Sequence, residues 1–178
     1  MISMRAIRAA LAWRLLACGL TGNLVSAAAY AALLATPAAE VPPTRYTITI
    51  RGRDQVLRLY GPRTGRPVIV SSGDGGWMHL GPHVADVLSA KGFFVVGFDA
   101  KAYLESFTSG STTLRVEDEP GDYKVLIDFA ARETGQKPVL IGVSEGAGLS
   151  VLAATDPSNK DAIAGVVGLG LSDLTGHE

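Results

Sequence analysis

The chain has 178 residues, enough for one domain with a sizeable core. Hydrophobic residues make up 47% of it, which excludes a disordered chain, and a net charge of −1 gives no electrostatic case for binding nucleic acid. Cys18 is the single cysteine, so the rest of the chain can form no disulfide and is compatible with any redox compartment.

The charge is uneven. Residues 1–39 carry Arg5, Arg8 and Arg14 and no Asp or Glu, and the remainder has 13 basic against 17 acidic residues. After the basic start, residues 15–35 are apolar and alanine-rich, interrupted by Thr21, Asn23 and Ser26. This pattern predicts a secretory signal, with an apolar region at Leu15–Val25 and small residues Ser26, Ala27 and Ala28 for cleavage. An uncleaved membrane anchor is the alternative, because the stretch approaches spanning length. A lipoprotein signal at Cys18 fits less well, given Leu16 and the nearby Arg14. Pro37, Pro42 and Pro43 mark a linker. The expected division is therefore a leader and linker over 1–39 and a folded domain over 40–178.

Residues 45–60 alternate, with Tyr46, Ile48 and Ile50 before Arg51-Gly52, then Val56, Leu57 and Leu59. That spacing predicts an antiparallel hairpin at a sheet edge. Pro67 to Ser71 (P-V-I-V-S) and Phe93 to Phe98 (F-F-V-V-G-F) read as buried parallel strands. Between them His79 to Lys91 predicts a helix with Val84, Val87 and Leu88 on one face, closed by Gly92. Residues 99–116 read as a polar loop, with Tyr103, Phe107 and a Ser/Thr run lining a cleft. Asp118 to Thr134 predicts a helix with an apolar stripe of Val125, Leu126, Phe129 and Ala130, closed by Gly135. Ile163 to Leu171 reads as one more buried strand, left as an exposed apolar edge if no further strand pairs with it. Strands alternating with helices predict an α/β fold with right-handed crossovers.

Two stretches carry chemistry. Ser72-Gly73-Asp74-Gly75-Gly76-Trp77 follows a buried strand, where bare backbone N–H groups can face a ligand. Met78 stands where a dinucleotide fingerprint needs glycine, and no Gly-Lys-Ser/Thr follows for a P-loop. An oxyanion loop remains. The second stretch is Gly142-Val143-Ser144-Glu145-Gly146, a G-x-S-x-G nucleophile elbow between the strand Val139–Val143 and an Ala/Gly/Leu helix. Gly142 and Gly146 flank the serine where strand and helix must approach closely, and Gly148 is expected to let the helix lie close under the sheet. Ser144 falls at a helix N-terminus, which favours developing negative charge.

The blocks S-G-D-G-G-W, K-G-F-F-V-V-G-F-D and V-L-I-G-V-S-E-G-A-G, in this order, resemble the bacterial virulence-associated AcvB/VirJ family within the α/β-hydrolase fold. The similarity covers roughly residues 66–171. It implies a three-layer α/β/α sandwich with a mostly parallel sheet and an N-terminal antiparallel hairpin. It also implies export to the periplasm and serine-based hydrolysis of an ester, including aminoacyl or lipid headgroup esters. By the same resemblance Ser144 is the nucleophile, and the backbone N–H groups of Glu145 and of Asp74 or Gly75 form the oxyanion hole. Two such donors stabilise the negative oxygen by about 3 kcal/mol each.

Hydrolases of this fold place the acid and the histidine after the serine. Only 34 residues follow Ser144 here. His79 and His83 precede it, while Asp173 and His177 sit together at the end. The expectation is therefore a domain incomplete at its C-terminus and, as it stands, poorly soluble or inactive, or both. The alternative function is a non-catalytic periplasmic binding or secretion-associated protein that keeps the fold. The expected partners are a small-molecule or lipid ester and, through the N-terminal segment, a membrane. No cofactor is expected, and three dispersed histidines make a zinc site unfavourable. Glu145, beside the serine, would favour a cationic substrate group.

Overall fold

Alternating apolar residues build the first two strands, β1 (Thr44–Ile50) and β2 (Arg53–Tyr60), of a computed structural model that describes residues 42–108 and 114–170. The leader at 1–39 lies outside the described residues, as do Asp173 and His177. The hairpin turns on Arg51 and Gly52, whose φ values are 45° and 78°. Two successive positive φ values give the turn whose twist matches that of the strands. The remaining strands are β3 (Pro67–Ser71), β4 (Phe94–Phe98), β5 (Val139–Val143) and β6 (Gly165–Leu169). The helices are α1 (Leu80–Ala90), α2 (Ala100–Thr108), α3 (Glu119–Thr134), α4 (Glu145–Thr155) and the short α5 (Pro157–Lys160). All described residues fall within one unit, Val41–Glu178.

The sheet order is β1-β2-β4-β3-β5-β6. β1, β2 and β4 pair antiparallel, whereas β4, β3, β5 and β6 pair parallel. Side chains of β3 and β4 are buried on both faces, as the continuous apolar runs predict. Val68, Val70 and Val95 face Ala85 of α1, with Val84 and Leu88 against them. Ile69, Phe94, Val96, Phe98 and Leu140 face the other way, toward Tyr123, Leu126, Ile127 and Phe129 of α3 and Ala153 of α4. The molecule is thus a three-layer α/β/α sandwich of the α/β-hydrolase fold, with the hairpin at one side of a mixed sheet.

Three expectations need correction. Residues 100–108 are a helix, not a polar loop, and Tyr103 and Phe107 are core residues rather than a cleft lining. Ala100, Tyr103, Leu104 and Phe107 have the helical spacing, and the intervening Lys101, Glu105 and Ser106 only make the outer face polar. The apolar stripe of α3 runs through Tyr123, Leu126, Ile127, Phe129 and Ala130, while Val125 is exposed; on α1, Val87 is likewise exposed. Finally, β6 is not a buried strand but the exposed apolar edge that was the other expectation for it: Val166 and Val167 are exposed at an edge of the described sheet.

The hairpin tip is fastened by Arg51, which pairs with Asp118 at 3.4 Å and more closely with Asp122. Arg51 donates from Nε to Asp122 Oδ1 at 2.7 Å and from Nη2 to Oδ2 at 2.6 Å, and its guanidinium lies 4.1 Å from the Phe107 ring centre. Tyr103 donates its hydroxyl to the same carboxylate at 2.7 Å. Asp122 is 3% exposed, so removing its cation leaves a buried charge with one neutral donor. Arg51→Ala is therefore expected to cost about 3 kcal/mol in chemical denaturation. Arg51→Lys, which keeps the charge without the fork, is expected to recover only part of that loss.

Candidate functional site

Ser144 stands at the end of β5 with φ 51° and ψ −118°, a conformation costly to any residue with a side chain. Two neighbouring glycines permit it. A methyl group on Gly142 would run into Gly146 O and Ala147 Cα, and one on Gly146 would lie 2.7 Å from Ser71 O and closer still to Ser72 O. So α4 doubles back against β5 and the end of β3 at backbone contact. Gly148 plays no such part, being exposed with no atom near its missing side chain. The Ser144 N–H is donated to Leu169 O of β6 at 2.8 Å, which ties the turn to the neighbouring strand. Its side chain is exposed at the N-terminus of α4.

The glycine loop comes off the next strand and passes directly beside the serine. A methyl group on Gly73 would be 3.1 Å from Ser144 Cβ and 3.8 Å from its Oγ. Sequence reasoning missed this residue, although its place as the first glycine after β3 was visible. The loop is folded on itself: Gly76 donates to Gly73 O at 2.9 Å, and Gly75 N–H donates to Asp74 Oδ1 at 3.0 Å. Among the described residues, the N–H groups of Asp74 and Glu145 make no hydrogen bond. The first is a loop amide, and the second is one of the unpaired donors that begin a helix.

The base of the loop is pinned from below. Ser72 donates its N–H to Phe98 O at 3.0 Å and accepts at Oγ from Ala100 N–H at 3.1 Å. Tyr123 donates its hydroxyl to Ser71 Oγ at 2.8 Å, and both residues are fully buried. Trp77 closes the loop by lying over Gly97 of β4 and donating Nε1–H to Tyr60 at 3.2 Å.

The other candidates stand apart. His79 precedes α1 and His83 lies one turn into it; both are exposed, and neither hydrogen-bonds Ser144. Among the described residues no histidine or carboxylate donates to or accepts from the Ser144 hydroxyl, and no group of three or more His, Cys, Asp or Glu residues is placed to hold a metal. Glu145 is exposed beside the serine.

Solved structures with the same fold include hydrolases. The thioesterase domain from the curacin biosynthetic pathway aligns over 76% of this chain and 50% of its own, at 21% identity and a TM-score of 0.51. Epoxide hydrolase A from Mycobacterium thermoresistibile aligns over 71% of this chain and 38% of its own, at 22% identity and a TM-score of 0.51. A membrane phospholipase A described as a bacterial virulence factor aligns over 93% of this chain and 51% of its own, at 15% identity and a TM-score of 0.56. This chain therefore spans about half the length of these three structures, or less. No curated protein matches it. The profile of the bacterial virulence protein VirJ matches residues 66–178, from the start of β3 through both the glycine loop and the serine turn. With most of its folded part matched to that profile, the chain belongs to the VirJ family of bacterial virulence proteins.

Proposed function

We propose that this chain carries the nucleophile half of an exported, periplasm-facing serine esterase. The backbone of Ser144 carries the reading: its positive φ is maintained by two glycine contacts that leave the hydroxyl exposed beside the glycine loop. In this role Ser144 Oγ attacks the ester carbonyl, and the N–H groups of Glu145 and Asp74 receive the oxyanion. Gly75 is the weaker second donor, since its N–H is engaged by Asp74 Oδ1. The N-terminal dipole of α4 adds to the same stabilisation. Exposed Met78 and Leu80 follow the loop and would meet the apolar part of a lipid ester.

A fluorophosphonate probe tests this reading without requiring turnover. Labelling of the full chain is expected, and Ser144→Ala is expected to abolish it completely while leaving thermal unfolding in place. A second reading, a non-catalytic periplasmic binding protein with the hydrolase fold, is favoured by the lack of a histidine partner for Ser144 among the described residues. A folded chain that never labels would put that reading first.

A further inference from the structure

Charge is divided between the two ends of the parallel strands. Where β3, β4 and β5 end, beside Ser144, they are followed by Asp74, Asp99 and Glu145. Where they begin, they are preceded by Arg66, Lys91 and Lys137. The five residues of β5 set these ends about 17 Å apart. All three cations are exposed, and among the described residues none of them forms an ion pair. Glu133, near the end of α3, is held by Arg63.

Two of the cations share a cleft. Arg66, Lys91, Gly92 and Phe93 line an open cavity of about 270 Å³, and no carboxylate is in its lining. Close backbone contact fixes its floor. Phe94 donates its N–H to Arg66 O at 3.1 Å, and a methyl group on Gly65 would run into Gly92 O and lie 2.8 Å from Phe94 N. Lys91 and Gly92 donate their N–H groups to Leu88 O at 3.0 Å and Ser89 O at 2.9 Å, which offsets part of the negative end of α1. Pro67 pairs with Phe94 and Val68 with Val139, so the same register carried back sets Phe93 on one side of Arg66 and Lys137 on the other.

The lining selects its ligand. Arg66 and Lys91 only donate, and two like charges in one cleft repel until an anion lies between them. A guanidinium fork takes two oxygens of a tetrahedral anion, and an ammonium takes a third as a point charge. Phe93 is half-buried and offers apolar surface to whatever the anion is esterified to. The cavity is smaller than the pockets that enclose drug-sized ligands, so it suits a small charged group.

We propose that this cleft binds a phosphate group, either free or as the head of an anionic lipid. The proposal does not depend on Ser144 being reactive, because the cleft is at the other end of the strands. The isotopically labelled full chain is titrated at constant ionic strength with inorganic phosphate. A second titration uses dihexanoyl phosphatidic acid below its micelle concentration. Saturable shifts are expected at the backbone amides of Arg66, Gly92 and Phe93, and matched sodium chloride is expected to give none. Similar affinity for both probes assigns free phosphate; binding of the lipid alone, or at least tenfold tighter, assigns the headgroup. Arg66→Gln and Lys91→Gln are each expected to weaken binding about tenfold while keeping the folded amide spectrum, since both side chains are exposed. Lys160→Gln, a cation outside the cleft lining, is expected to leave affinity unchanged. A folded chain with no saturable response to either probe overturns the proposal. So does sodium chloride giving the same shifts, or Lys160→Gln weakening binding as much as Arg66→Gln, since either would mean diffuse attraction without a site.

Discussion

Gly146→Ala is expected to cost about 3 kcal/mol, close to the upper end for a single added methyl group in a packed interior. The backbone at Gly146 would accept alanine, because its φ is not positive. The cost is steric. The new methyl would lie 2.7 Å from Ser71 O and closer to Ser72 O, and neither carbonyl can retreat. Ser71 is held between β4 and β5, and Ser72 is held at both its N–H and its hydroxyl. The helix α4 must move instead, carrying Ser144 away from Gly73. Gly148→Ala is the control, two residues along the same helix, exposed and with open space at its side chain. There the expected sign reverses, toward a gain of up to about 1 kcal/mol from helix propensity. Denaturant midpoints at constant slope measure both changes. Equal stability of the two variants would show that the elbow is not packed as described. The same pair separates stability from chemistry: only Gly146→Ala should also slow labelling of Ser144.

The contrast between those two glycines also shows what could be read from the chain. Strand positions were legible because β3, β4 and β5 are short apolar runs set off by proline, glycine or a polar turn, and the hairpin because its residues alternate about Arg51-Gly52. The serine turn was legible because its geometry demands glycine at fixed offsets. Gly148 fits the same composition, yet only the path of the helix reveals that it faces outward. The helix Ala100–Thr108 was hidden by its polar outer face, although Ala100, Tyr103, Leu104 and Phe107 keep helical spacing. Least legible were the long-range polar contacts. Nothing near Arg51 in sequence points to Asp122, nor anything near Ser71 to Tyr123, because such pairs depend on which surfaces the fold brings together. At the candidate site, Ser144 and its flanking glycines could be named from sequence, whereas the proximity of Gly73 and the hydrogen bonds beneath the loop could not.

Glu119→Gln is expected to stabilise the protein at alkaline pH, by an amount on the order of 4 kcal/mol. Glu119 is 1% exposed at the start of α3, and neither carboxylate oxygen has a hydrogen-bond partner among the described residues. Burial first, then the neighbouring carboxylates Asp122 and Asp156, push it from the ordinary 4.5 up to about 8. The sign follows from the direction of that shift. Below pH 4.5 the group is protonated in both folded and unfolded chains, so the variant and the wild type differ little. Between pH 4.5 and about 8 the unfolded chain ionises while the folded chain does not, so wild-type stability falls as pH rises. Above about 8 both states are ionised and the deficit is constant. Glutamine has no charge to gain, so its curve lacks this slope. Urea denaturation at pH 5, 7 and 9 should show the two proteins converging at the lowest pH and diverging progressively above it. Parallel curves across that range would mean that Glu119 ionises in the folded state as readily as in water, which its burial without a partner does not allow.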